Sequence, residues 1–192
     1  MGWVGNADKR VSKHLKAWIK QTGSSDGVVG LIGPGTSRQL QSNWNSPFEQ
    51  SSIGSSYEKT AGLVQQTSGI TSISTLNSVQ IWDGNRPASL NLVLIFYALT
   101  STLEEVMKPL AMLEYMASPE VRANTPGGSI PKTVTLDVGR SSMFTNMVIE
   151  NISTQLDKEK DSDGRMIRAE VNITLQTKNM QNASEIAKTW GV

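Results

Sequence analysis

Near the end of this 192-residue chain, four carboxylates stand at the spacing of a calcium-binding loop. Glu159, Asp161 and Asp163 take the first, third and fifth places, Gly164 the sixth and Glu170 the twelfth, with Glu at the first place where Asp is the rule. Hard oxygen donors so spaced wrap a calcium ion when the loop joins two helices. Both flanks here have strand character instead. Ile167, Ala169, Val171, Ile173 and Leu175 are apolar and Arg168, Glu170, Asn172 and Thr174 between them are polar, the period of two that marks a half-buried strand. Upstream, Met147 to Leu156 is rich in β-formers, so the two runs read as a long antiparallel hairpin. Glu170 is then an outward strand residue, and Asp157 to Arg165 a solvated, charge-mixed turn containing Asp-Gly. No metal site is expected, and the loop stays a weak decoy.

Other chemical equipment is sparse. His14 is the only histidine, so a catalytic triad, a histidine metal site or a histidine acid/base pair lacks its second member. The run Gly27-Val-Val-Gly30-Leu-Ile-Gly33-Pro34-Gly35-Thr-Ser invites comparison with phosphate-cradling loops, but Gly or Pro stands where a Walker loop needs its lysine. A dinucleotide fingerprint would need a strand before the glycines and a helix opening on them, and neither pattern is legible. A tight-packing or flexible loop is the expected role. There is no cysteine, which removes disulfides, thiolate nucleophiles and sulfur-ligated metals. No cofactor and no enzymatic activity are expected.

Charged residues make up 18% of the chain and the formal net charge is +1, too little for the electrostatic field that dominates nucleic-acid affinity. The longest apolar run, Leu90 to Leu99, is too short to cross a bilayer, and no leader-like apolar segment precedes it. A soluble protein of a cytoplasm-like compartment is expected, with no stable membrane anchor. On that reading the Asn-x-Ser/Thr triplets at Asn151, Asn172 and Asn182 carry no glycosylation meaning.

The elements that must position any site follow from patterning. Asn6 to Gln21 reads as a helix capped by Asn6, with Val11, Leu15, Trp18 and Ile19 on one stripe and Lys9, Lys13, Lys16 and Lys20 on another face. That lysine face is either solvated or a docking face for an acidic partner or a membrane surface. Thr22 to Asn77 is dominated by Ser, Gly, Gln, Thr and Asn, with isolated Trp44, Phe48 and Tyr57; it reads as an extended arm ordered by a neighbouring subunit or as irregular elements lying over the core, with a local helix from Ser55 to Gln66 as the other reading. From Ser78 the pattern becomes regular. A strand to Asp83, a turn, and an apolar strand over Ser89 to Leu99 precede a capping box, Ser101-Thr-Leu-Glu104. The helix it opens runs to Ala117 with Leu103, Val106, Leu110, Leu113 and Met116 or Met107 inward, kinked at Pro109. A Pro/Gly loop leads to a strand over Thr133 to Val138 ended by Gly139, then the long hairpin, then a short helix or tail over Ala183 to Trp190.

The order of apolar strand, capped helix, Pro-rich loop, Pro131-Lys-Thr-Val-Thr-Leu-Asp-Val-Gly139 and a hairpin ending Arg168-Ala-Glu-Val-Asn-Ile-Thr-Leu-Gln176 resembles the tube-like baseplate proteins of contractile-tailed phages. The resemblance covers Ser78 to Lys178. It implies a tail-tube initiator or hub-capping ring protein of the T-even type: a homohexameric ring in the virion, assembled in the host cytoplasm. Its neighbours would be hub, tail-tube and tape-measure proteins, and DNA would pass its lumen without specific binding.

The expected fold is α+β, an antiparallel sheet or tail-tube-like β-barrel with one packed helix, a long C-terminal hairpin and an N-terminal helix plus irregular arm. Residues 1–77 form the helix and arm, 78–178 the β domain and 179–192 the tail. Trp44, Phe48, Asp157, Lys158, Lys160 and Arg165 are the candidate subunit contacts. The alternative from another class is a soluble monomeric β-barrel that binds a small ligand or calcium.

Overall fold

The computed structural model describes residues 2–45, 80–119 and 129–192. Two compact units divide the chain: Met1–Leu40 with Pro87–Val192, and Gln41–Arg86.

The first unit is built on a closed antiparallel barrel. Its strands are β1 (Trp3–Gly5), β2 (Lys16–Gln21), β3 (Gly27–Ile32), β4 (Ser37–Gln39), β7 (Ser89–Tyr97), β8 (Val134–Val138), β9 (Ser142–Thr154) and β10 (Arg168–Thr177). Six of them run in the order β3-β2-β8-β9-β10-β7, and the pairing of Leu31 with Ile95 and Ile32 with Leu94 returns β7 to β3 and closes the barrel. Closure pairs most of the sheet edges that an open sheet would leave to aggregate. β1 adds to β3 in parallel and β4 pairs with the start of β7.

The barrel closes around side chains that alternation places inside. On β10, Ala169, Val171, Ile173 and Leu175 are fully buried, as their spacing predicts, while Ile167 lies outside the strand and is exposed. Opposite them, Leu90, Leu92, Leu94 and Phe96 of β7 and Val134 and Leu136 of β8 complete the core. Burial of each Val, Ile or Leu is worth about 1.5–3 kcal/mol relative to exposure, which makes this shared core the main source of cohesion.

The predicted central helix is present in modified form. A π turn over Leu103–Met107 leads into α1 (Lys108–Ala117), and Val106, Leu110, Leu113 and Met116 face the core. Leu103, expected inward, is exposed. Pro109 does not sit in the middle of a regular α-helix: it falls at the first turn of α1, after the wider π turn, where the missing N–H costs least. The capping box is shared between two glutamates. The Ser101 hydroxyl accepts from the Glu104 amide, but the carboxylate that folds back is that of Glu105, which accepts from the amides of Leu99, Thr100 and Ser101 at 2.6, 2.8 and 3.2 Å. Glu104 instead pairs with Lys108 one turn on.

The N-terminal helix expected over Asn6 to Gln21 is not formed. Lys13–Leu15 is a single 3-10 turn and Lys16–Gln21 is barrel strand β2, paired on both sides with β3 and β8. Sixteen residues with a helical stripe cannot compete with two ladders of backbone hydrogen bonds and the burial of Lys16, Ala17, Trp18 and Ile19. His14 lies in the 3-10 turn, with Nδ1 2.8 Å from the Gly139 carbonyl oxygen.

The glycine-rich run is likewise a strand, β3, not a flexible loop. Gly27 lies under the Trp3 ring, where a Cβ would come within 2.3 Å, and at Gly30 a Cβ would come within 3.0 Å of the Phe96 ring. Tight packing, one of the two expected roles, is the reason for both. The irregular arm expected from Thr22 therefore supplies two barrel-unit strands before residue 41; its Phe48, Tyr57 and local helix over Ser55 to Gln66 lie outside the described residues.

In the second unit, β5 (Ser42–Asn45) and β6 (Ile81–Asn85) form a two-stranded antiparallel ribbon. At the other end of the chain, α2 (Ala183–Trp190) has the bounds predicted, opened by a reciprocal Asn182/Glu185 capping box and closed by Gly191 in the left-handed conformation.

Candidate assembly surface

β9 is thirteen residues long, and β8 pairs with it only from Ser142 to Met147. β10 pairs with it from Met147 to Thr154. From Val148 to Thr154, no strand among the described residues takes up the side of β9 that faces away from β10. Seven residues thus have one side of their backbone without a strand partner among the described residues, the kind of edge that natural proteins pair or cover. Two bulges shape it: Thr145 and Asn146 together face the single Thr135 of β8, with Asn146 at φ 56°, and Glu150 is inserted opposite β10.

The outward face beside this edge is mostly polar, with Glu150 on β9 and Arg168 and Glu170 farther along β10 as its charged members. The register aligns Asn91, Thr174 and Asn151 in one row across β7, β10 and β9, and Asn172 with Ser153 in the next. Gln176 follows and donates to the Glu150 carboxylate at 2.9 Å. Amides and hydroxyls dominate because the opposite side chains of the same strands fill the core, so each outward position is free to be polar.

The hairpin tip is more ordered than a solvated turn. Asp161 Oδ1 accepts from the amides of Asp163 and Arg165 at 2.9 and 2.8 Å, and Oδ2 accepts from the Thr102 hydroxyl at 2.6 Å. The Thr102 hydroxyl and then the Arg165 amide hold the Asp161 carboxyl below its ordinary pKa of 3.8. Met166 is buried in the core, and the Ala98 amide donates to the Ile167 carbonyl. The tip thereby folds back onto the start of the helix.

This geometry separates the four carboxylates of the calcium-like pattern. Asp161 already accepts three protein hydrogen bonds, Asp163 pairs with Arg165 at 2.9 Å, the Glu159 carbonyl accepts from the Ile167 amide, and Glu170 stands in β10 opposite Ile95. Among the described residues no group of three acidic or histidine side chains is placed to hold a metal ion. Of the expected contact residues, Asp157 and Lys160 are exposed, Lys158 and Arg165 half-buried, and Trp44 exposed on the ribbon.

Sequence reasoning missed three features. Trp82 pairs directly across the ribbon from Trp44. Arg140, at φ 58°, lays its guanidinium 4.0 Å from the Trp18 ring centre while Asp137 binds both its amide and its side chain. Arg38 lies 5.6 Å from the ring centres of both Phe144 and Trp190, and burial lowers its pKa. Only the first had a signal, two tryptophans in Asn/Ser-rich segments with strand-compatible neighbours; the others join residues about a hundred or more positions apart.

No protein-family model matches this chain, and no curated protein matches it in sequence.

Proposed function

We propose that this chain is a structural virion protein, a tail-tube-like baseplate component whose copies form a homohexameric ring between the central hub and the tail tube of a contractile-tailed phage. The observation that carries the reading is the unpaired edge of β9 from Val148 to Thr154. A neighbouring copy adding its own strand there extends the β7-β10-β9 sheet from subunit to subunit, and a closed ring of such contacts leaves no edge. The rows of Asn91, Thr174, Asn151, Asn172 and Ser153 beside the edge suit the wall of a passage for DNA. Neutral amides and hydroxyls do not release the counterions that hold a duplex to a basic surface, so DNA slides past. The near-neutral chain as a whole fits the same role.

Solution mass tests this directly. The purified chain at increasing concentration should pass from monomer to a species six times its mass, visible as rings by electron microscopy. A monomer at every concentration, with hub and tube proteins also failing to recruit it, would overturn the proposal in favour of a monomeric binding module.

A further inference from the structure

The ribbon of β5 and β6 carries an exposed aromatic pair that takes no part in the hydrophobic core formed by the described residues. Trp44 and Trp82 stand directly opposite one another and remain 56% and 49% exposed. The Trp82 indole N–H is held by Ser42 Oγ at 3.1 Å and Asn85 Oδ1 at 3.4 Å, which fixes the ring's direction. Asp83 follows it, exposed. Exposed tryptophans are the residue type that dominates the energy of protein interfaces.

The barrel unit holds a recess of complementary character. A cavity of about 410 Å3 opens on the outer side of β2 and β8, with Trp3, Trp18 and Met143 as its apolar walls and Lys20, Asp137 and Arg140 as its polar ones. Arg140 is already committed to Trp18 and Asp137, whereas Lys20 makes no ion pair among the described residues. An aromatic recess with a spare cation matches an aromatic pair followed by a carboxylate.

We propose that the ribbon of one copy seats Trp44 and Trp82 in the Trp3/Trp18 recess of a second copy, with Asp83 against Lys20. This is a heterologous contact, one patch meeting a different patch, so it propagates around a ring instead of closing a dimer. It rests on the reading that copies of the chain assemble, but it is independent of the β9 edge.

The chain has no cysteine, so single-cysteine variants report one contact each. Asp83→Cys protein is mixed with Lys20→Cys protein under assembly conditions and oxidised. A disulfide-linked dimer that contains one of each variant is expected, and its absence while rings form would overturn the ribbon contact and leave the ring standing. The double variant Trp44→Ala/Trp82→Ala should keep the circular dichroism and melting of the barrel, because the ribbon is a separate compact unit, yet shift assembly to at least tenfold higher concentration. Unchanged assembly overturns the proposal. Wild-type protein that stays monomeric at all concentrations overturns both this contact and the ring.

Discussion

The Asn6 side chain pairs with both backbone groups of Tyr97: its Nδ2 donates to the Tyr97 carbonyl at 2.7 Å and its Oδ1 accepts from the Tyr97 amide at 3.2 Å. One buried amide side chain thus acts as an extra strand residue at the end of β7, while its own backbone amide donates to the Val29 carbonyl. Asn6→Leu leaves the Tyr97 amide and carbonyl without this partner in a part-buried site. It should lower stability by about 1–3 kcal/mol per orphaned group, measured by urea unfolding. An unchanged midpoint would show that water replaces the amide.

Asp161 ties the hairpin tip to Thr102, and the tie depends on pH. Its carboxyl titrates lower folded than unfolded, so the unfolded chain binds more protons between the two pKa values. Its stabilisation is therefore complete above about pH 4, the ordinary carboxyl value, and disappears as pH falls through the depressed one. Asp161→Asn should flatten the acid limb of the stability curve in that window while leaving the neutral-pH slope unchanged. An acid limb identical to wild type would remove Asp161 from the account.

Calcium at millimolar concentration should leave the melting temperature unchanged, because the Asp161 oxygens already accept three protein hydrogen bonds and Asp163 pairs with Arg165. A calcium-dependent rise that Asp161→Ala abolishes would favour the monomeric binding module.

The faces of β10 give a paired test. Val171 and Ile173 are fully buried, so Asp at either position places an uncompensated charge in the core, at a cost of several kcal/mol out of a total of about 5–15. Asn172→Asp, one position along on the outward face, should leave the barrel folded. Comparable losses in thermal melts would refute the assigned faces.

How legible each element was depended on how many of its faces are buried. β10 has one wet face, so Ile173 and Asn172 alternate and the strand is readable. β2 buries Lys16, Ala17, Trp18 and Ile19 in succession, because Arg140 lies over the outer Trp18 while Ile19 fills the core. Period two is then lost, and Val11, Leu15, Trp18 and Ile19 mimic a helical stripe. β3 hid for another reason: its Gly27 and Gly30 answer to the Trp3 and Phe96 rings, contacts that no local pattern encodes. The edge of β9 was legible as a strand, but its lack of a partner depends on where β8 stops, which only the fold decides.

Gly27 gives a sharp packing test. A Cβ there would meet the Trp3 ring at 2.3 Å and the Ile19 carbonyl oxygen at 2.8 Å, and the oxygen belongs to a paired strand that cannot swing aside. Gly27→Ala should cost about 1–3 kcal/mol as overpacking, read as a lower urea midpoint. A neutral effect would mean that Trp3 leaves the site at no cost.

The last prediction concerns the edge itself. Asn151 and Ser153 are exposed on the unpaired stretch of β9, and lysine on an edge strand is the common device that prevents another chain from pairing there. Asn151→Lys/Ser153→Lys leaves every core contact in place, so the barrel should melt within a few degrees of wild type. In a ring the same two charges recur at each seam and face a narrow passage, where their mutual repulsion adds to the loss of strand pairing. Assembly should therefore fail at concentrations that give wild-type rings, and moderate salt should restore it only partly, since screening weakens the repulsion but not the desolvation of lysines at a paired edge. Rings that form normally from this variant would show that β9 is not the seam.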